Sequence, residues 1–337
     1  MIDPGEAIMV RQLKPKLPHH YTKYSYVYAA YQEGLKQMKN HLSKARMSEW
    51  FWGWLLIAPT TIGLIILNII PAIQTFYLSF FKSGDFGRGN IFVGLENYKK
   101  LVHDPQVWGA VRNTLLYTLL VVPIGVFISA VLAVLLNRNL KGQGIYRSIY
   151  YIPVVSTPAA VTMVWRWLYN YHYGLINYIL KQLGLNPVNW IDDPKVALIS
   201  IAIVSIWSSI GYNMVLILAG LQEIPKVYYE ASNIDGANAV TQFFRIILPM
   251  ISPTLFFVVT TSVIQCMQVF DVVYMMIDVA RPSYDRTVSL VYLFYNNSFK
   301  YLNKGYGSAI VMLLLLVISI ITVIQVKLQK KWVNYTS

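Results

Sequence analysis

Six stretches of the chain carry no Asp, Glu, Lys or Arg: residues 50–81, 113–137, 148–165, 196–222, 246–270 and 305–326. Crossing a bilayer takes about 20 apolar residues at ~1.5 Å each. The shortest run, 148–165, extends past Arg166, because an arginine near a helix end can carry its charge to the interface. A spanning barrel would need apolar and polar positions to alternate. The unbroken sequence Met312, Leu313, Leu314, Leu315, Leu316 and Val317 rules out a period of two there. The pattern predicts an all-α polytopic membrane protein of six transmembrane helices. An even number of spans places both termini on one side.

Charge distribution chooses that side. With a cytoplasmic amino terminus, the inner segments are 1–49, 138–147, 223–245 and 327–337. They carry 16 Lys plus Arg against 7 acids, while the outer segments 82–112, 171–195 and 278–304 carry 11 against 7. Cytoplasmic loops accumulate Lys and Arg, and the short inner loops show the bias without any acid: Arg138, Lys141 and Arg147, then Lys327, Lys330 and Lys331. In the leading segment, Tyr24, Val27, Tyr28, Tyr31, Leu35 and Met38 recur at the spacing of one helix face, flanked by lysines. This predicts a helix lying in the headgroup region. The expected organisation is a cytoplasmic amphipathic segment 1–49, a first helix with its outer loop 50–112, a core of five helices 113–328, and a cytoplasmic tail 329–337. The first apolar run is too long and too internal for a cleaved signal peptide. Trp50, Phe51, Trp52 and Trp54, and at the other face Trp165, Trp167, Tyr169, Tyr171 and Tyr173, read as interfacial anchors.

Composition agrees and narrows the functional classes. Charged residues make up 13% of the 337 and hydrophobic residues 56%, against about 25% charged in soluble proteins. Mean hydropathy is +0.47. The net charge of +13 follows from topology, with no basic, aromatic-interleaved patch to suggest nucleic acid. The single cysteine, Cys266, forbids an internal disulfide. The five histidines are dispersed outside the apolar runs, without metal-ligand spacing. No acid–base cluster suggests an enzyme.

The most informative polar stretch joins the fourth and fifth runs, over residues 221–249. Pro225 suits a first helical turn and Gly236 a left-handed stop. Between them Val227, Tyr228, Ala231 and Ile234 form an apolar face, and Lys226, Glu230 and Asn233 a polar one. A second helix is expected from Ala237 to Leu248. Two short helices at an angle make a knob through which a soluble partner could push the spans. A plain reconnecting loop, with Glu230 solvated or paired to Lys226 four residues away, fits the spacing equally well.

The residues Glu230-Ala231-Ser232, then three residues, Gly236, nine residues and Ile246-Ile247-Leu248-Pro249 resemble the EAA loop of ABC importer permeases, with Ser232 in place of the last alanine. Phe92-Val-Gly-Leu-Glu-Asn-Tyr98, Asn113-Thr-Leu-Leu-Tyr117, Tyr146-Arg-Ser-Ile-Tyr-Tyr-Ile-Pro153, Gly174-Leu-Ile-Asn177 and Gly305-Tyr-Gly-Ser-Ala309 resemble the maltose and glycerol-3-phosphate type. Together they cover about residues 50–328. Where that family often has Gly-Gly-Pro, this chain has Ala280-Arg281-Pro282. The resemblance implies one transmembrane subunit of a type I importer in a prokaryotic inner membrane, carrying a sugar or oligosaccharide. It implies a second, different permease subunit, two copies of a cytoplasmic ABC ATPase that bind ATP and Mg, and an extracytoplasmic solute-binding protein. The chain has no phosphate loop of its own.

Under this resemblance Glu230, Ala231, Ser232, Asp235, Gly236, Leu248 and Pro249 would couple to the ATPase. Substrate residues follow from polar side chains within the spans, which are costly unless they face a partner or a water-filled cavity. Ser208, Ser209, Tyr212 and Asn213 in the fourth run, and Ser262, Gln265 and Cys266 in the fifth, form the candidate set. Ser and Thr also serve helix packing, so Tyr212 and Gln265 lead. Gln265, Cys266 and Val269 depart from the family's Phe and Asn pattern. Asp271 and Arg166 read as interfacial. The alternative class is a secondary transporter or channel without a partner ATPase, which the scarcity of intramembrane charge disfavours.

Overall fold

In the computed structural model the described residues are 31–32, 34–36, 49–84, 90–137 and 142–333. The amphipathic stripe expected over residues 24–38 lies outside them except for Tyr31 and Leu35, which are helical, and so do Arg138 and Lys141. The chain divides into two units, Met1–Ala72 and Ile73–Ser337.

The first unit holds most of helix α1 (Glu49–Leu78), none of whose apolar window is buried. Its amino-terminal aromatics Trp50, Phe51, Trp52 and Trp54 are all exposed. The helix widens into a π turn over Ile65–Ile69, two residues before Pro71. The same arrangement recurs at Phe243–Ile247, two residues before Pro249. A proline lacks the N–H for the residue four back, and a π turn absorbs that local mismatch.

The second unit is helical around a long central pair. Helices α2 (Glu96–His103) and α3 (Pro105–Leu136) follow an antiparallel hairpin of β1 (Phe81–Ser83) and β2 (Asn90–Phe92) in register Phe81↔Phe92. Asp104 caps α3, accepting from the Gln106 N–H at 2.9 Å, with Pro105 at the first turn. Then come α4 (Gln143–Val155), α5 (Pro158–Leu168) and α6 (Leu175–Gln182). The other central helix is α7 (Ala197–Gln222), packed along α3. The knob comprises α8 (Lys226–Ile234) and α9 (Ala239–Met250), and α10 (Ser252–Met267) follows. Short helices α11 (Asp271–Met276), α12 (Tyr284–Thr287) and α13 (Leu290–Tyr295) lead to the last long helix, α14 (Lys304–Trp332).

Among the described residues, four helices are long and apolar enough to cross a membrane, or up to six if each bent pair is one span. Two of the six helices expected from the charge-free runs are each broken in two. Run 148–165 breaks between α4 and α5 at 97°, and run 246–270 between α9 and α10 at 77°. Pro158 drives the first break. The residue before a proline is pushed out of the α region, and Thr157 is extended at φ −67°, ψ 142°, its hydroxyl capping α5 through the Ala160 N–H. At the second, residues 246–250 belong to the knob and the span starts afresh at Ser252.

Close approach of backbones fixes the centre. A β-carbon on Gly211 of α7 would collide with the Tyr150 carbonyl of α4, so only glycine admits α4 there. Ser129 of α3 donates to the Gly125 carbonyl at 2.7 Å and also approaches the Ile210 carbonyl of α7 at 3.2 Å. On the opposite end, Asn177 joins three segments: its amide donates to the Tyr171 and Val188 carbonyls, and its oxygen accepts from Val188 N–H and Trp190 Nε1. Tyr169, expected as an interfacial anchor, is instead core. It is 2% exposed, stacks on Trp190 and donates to the Ser200 carbonyl.

Candidate functional site

The seven residues proposed from sequence for substrate all line one cavity of about 400 Å³. Ser208, Ser209, Tyr212 and Asn213 come from α7, and Ser262, Gln265 and Cys266 from α10. Ligand pockets commonly hold 300–1,000 Å³. The break between α4 and α5 opens this one: Pro153, Val154, Ser156, Pro158 and Val161 all face it. Irregular backbone at membrane depth is tolerated where it lines a water-filled space.

Hydrogen-bond accounting separates hydroxyls bonded to the backbone from groups left without a partner in the cavity wall. Ser209 donates to the Ile206 carbonyl at 3.0 Å, Ser205 to Ile201 at 3.1 Å and Ser156 to Ile152 at 2.9 Å. Those hydroxyls keep only acceptor capacity toward the cavity. Among the described residues, Ser208, Tyr212, Asn213, Ser262 and Gln265 have no such intrachain partner, and none of them has an orphaned buried polar atom. They offer both donors and acceptors. Sequence reading missed two features. Tyr117 of α3, 3% exposed, lies against Ser205 in the wall; within an apolar run its hydroxyl was the available signal. The Thr157-Pro158 helix start was the other, hidden in a run without charge. Arg166 faces elsewhere, donating to the Met275 carbonyl at 3.2 Å, and Asp271 is an exposed residue at the start of α11.

The knob forms as the spacing suggested, with shifted limits. Pro225 is the N-cap of α8 rather than part of its first turn, and α9 starts at Ala239 rather than Ala237, capped by Asn238 accepting from the Thr241 N–H at 2.8 Å. Gly236 takes φ +72°. Ala237 N–H bonds to the Ser232 carbonyl and Gly236 N–H to that of Asn233, the paired bonds of a Schellman stop. The side of α8 turned inward is Ser232, 4% exposed. Its hydroxyl donates to the Tyr229 carbonyl at 2.9 Å and accepts from the Gln242 amide of α9 at 2.7 Å. Asp235 ends α8, and Leu248 and Pro249 are half-buried in the last turn of α9.

The outward side mixes large apolar residues with Lys226, Asn233, Asp235 and Arg245. Val227, Tyr228, Ile234, Val240 and Phe244 are exposed, Ile234 to 86%, and Ala231 and Glu230 are exposed among them. Among the described residues the Lys226–Glu230 ion pair is not formed.

Residues 121–334 match the family of binding-protein-dependent transport system inner membrane components. The chain belongs to that family. It is a multi-pass membrane protein and a transport component rather than an enzyme. It is 33% identical over 291 residues to the trehalose/maltose transport system permease protein MalF of Thermococcus litoralis, covering 86% of this chain and 98% of that one. It is 32% identical to the sn-glycerol-3-phosphate transport system permease protein UgpA of Pectobacterium atrosepticum, over 84% of this chain and 95% of that one. In fold it is similar to a chain of a bacterial ABC transporter involved in the import of the acidic polysaccharide alginate. The TM-score is 0.76 at 20% identity, covering 87% of this chain and 100% of that one.

Proposed function

We propose that the chain is one of two different transmembrane subunits of an ATP-driven importer of a sugar or oligosaccharide. It crosses a prokaryotic inner membrane six times, each bent pair counting as one span, with both termini cytoplasmic. The observation that carries the reading is the pairing of two sites in one chain: a membrane-depth cavity gathering all seven polar candidates, and a knob with exposed apolar residues that runs directly into α10, one of the helices lining the cavity.

The mechanism follows from that connection. A solute-binding protein delivers the sugar to the outer face. Two ATPase copies, which hold ATP and Mg, grip α8 and α9 of this chain and the matching knob of its partner subunit. Val227, Tyr228, Ala231 and Ile234 supply buried contact, and Glu230 meets a cation on the ATPase and fixes the register. Closure of the ATPases pulls the knob. Because α9 meets α10 at a bend, movement is passed to Ser262, Gln265 and Cys266. The cavity then exchanges the outward for the inward opening. Tyr212 gives the aromatic platform and Gln265 and Asn213 the paired donors and acceptors that sugar hydroxyls require.

The test is reconstitution with the partner subunits. ATP-dependent, binding-protein-dependent saccharide uptake is expected. Uptake that follows a proton gradient with no ATPase present would replace this reading by a secondary transporter.

A further inference from the structure

A second pocket, of about 440 Å³, lies at the other end of α5, lined by Arg166 and Trp167 and by the loops holding Asn170, His172, Asn189 and Arg281. Its frame is rigid. Tyr169 forms the floor, stacked on Trp190 and bonded to the Ser200 carbonyl. Ser283 ties the Ile191 carbonyl at 2.6 Å, and Arg281 is ion-paired to Asp192 across the wall.

Four of the side chains facing this space, Arg166, Asn170, Asn189 and Arg281, offer donors to it. Asn170 Oδ1 already accepts from the N–H groups of His172 and Tyr173, at 3.0 and 3.2 Å. Asn189 Oδ1 accepts from the Asp192 N–H at 3.3 Å. Because those donors are backbone N–H groups, both side-chain amides are oriented with their NH₂ outward. Arg166 spends one N–H on the Met275 carbonyl and Arg281 one on Asp192, each keeping others free. Guanidinium and amide NH₂ groups donate and do not accept. The one carboxylate among the described lining residues, Asp192, is neutralised by Arg281. Two arginines against one acid leave an excess positive charge.

We propose that this pocket is an outer subsite for a carboxylate carried on a sugar, engaged before the sugar reaches the membrane-depth cavity. The forked Arg166 guanidinium takes the carboxylate, the Asn170 and Asn189 amides take ring or hydroxyl oxygens, and Trp167 and Tyr171 flank the sugar face. Naming the ligand a sugar rests on the transport reading above; the oxyanion chemistry does not.

The experiment uses the assembled transporter in nanodiscs of neutral lipid, titrated with galacturonate or galactose while intrinsic tryptophan fluorescence and binding heat are followed. Galacturonate is expected to bind at least about tenfold more tightly than galactose, the scale of one charge-assisted bond. Arg166→Gln should remove that preference and Arg166→Lys should keep part of it, with unchanged elution of the complex showing assembly. Trp167→Phe should abolish the fluorescence change while the heat signal persists. Equal binding of the two sugars, or preference surviving in Arg166→Gln, overturns the subsite. Loss of uronate binding when phosphatidylglycerol replaces the neutral lipid overturns it too and gives the pocket to a lipid headgroup. ATP-dependent uptake of a neutral sugar without uronate binding sinks the subsite alone; uronate binding without ATP-dependent uptake sinks the transport reading alone.

Discussion

The Gln242 side-chain amide donates to Ser232 Oγ at 2.7 Å, pinning α9 to the buried face of α8, and reaches Asn233 Oδ1 at the same distance. Alanine, the usual residue at the position of Ser232, could not accept this bond. The serine and the glutamine ten residues on act as one clasp that sets the angle of the knob. Removing Gln242 takes away both of its bonds to α8, each worth about 0.5–1.5 kcal/mol net. Because Ser232 also donates to Tyr229, Gln242→Ala should leave α8 intact and loosen only its attachment. Amide exchange in α9 should rise by up to about tenfold in that variant, and ATP turnover should respond less to substrate. Unaltered exchange would show that packing alone sets the angle.

Glu230 is exposed and, among the described residues, holds no ion pair, on a surface that also exposes Val227, Tyr228 and Ile234. A charge bordering an apolar patch gains most from a partner that desolvates and matches it. Glu230→Ala should leave the spans folded and weaken association with the ATPase by about 1.5–3 kcal/mol, the range for bonds to charged groups. Titrating purified ATPase onto the permease pair measures this, and stimulation of ATP turnover by substrate should vanish with it. A variant with normal stimulated turnover would remove Glu230 from the interface.

Spans and knob were legible in the sequence for different reasons. Charge-free runs identify membrane depth, since burying charge there is costly, and the matches of α1, α3, α7 and α14 to runs 50–81, 113–137, 196–222 and 305–326 follow from that. Absence of charge says nothing about direction, so the bends at Thr157-Pro158 and Ile251-Ser252 were invisible in it, although Pro158 carried the signal of a helix start. The seven cavity residues could be named because polar side chains on one stripe of an apolar helix need a polar place to face. Their walls could not: Pro153, Pro158 and Val161 look like any apolar residues until the break turns them inward. Tyr169 was misread because its sequence neighbours are interfacial, whereas its burial depends on Trp190, twenty-one residues away in the chain. The motif residue Asn177 matched a family pattern without a reason attached; the reason is the set of four bonds it makes among the outer loops.

Two glycines should fail for separable reasons. Gly236 sits at φ +72° with open space where a β-carbon would go, so Gly236→Ala meets backbone strain alone, worth about 1–2 kcal/mol. Asparagine tolerates that region better and should recover part of the loss. Gly211 has ordinary backbone but no room, because the Tyr150 backbone occupies the place of a β-carbon. Gly211→Ala must push α4 off α7 and should prevent assembly of the permease pair, with asparagine worse still. Opposite responses to asparagine, read by yield of assembled complex and by thermal inactivation, separate strain from exclusion. The same rank order at both positions would refute the distinction.

Tyr212 and Gln265 approach the cavity from α7 and α10, the second being the helix that continues from the knob, so their variants test whether one space both selects and is gated. Tyr212→Phe keeps the ring and removes the hydroxyl. If the ring is a platform and the hydroxyl a ligand for sugar oxygens, half-saturation for uptake should rise about three- to tenfold, one hydrogen bond's worth, with little change in maximal rate. Tyr212→Ala removes both and should cost more, since stacking on an aromatic face is lost as well. Gln265→Ala takes away a donor and an acceptor at once. A site built to bond hydroxyls discriminates most against sugars lacking them, so this variant should narrow the gap between the preferred saccharide and its deoxy analogue. Measuring that ratio, rather than uptake of one sugar, protects the result from any general loss of transport. An unchanged ratio in Gln265→Ala would remove that residue from the binding surface and leave α10 with a purely mechanical part.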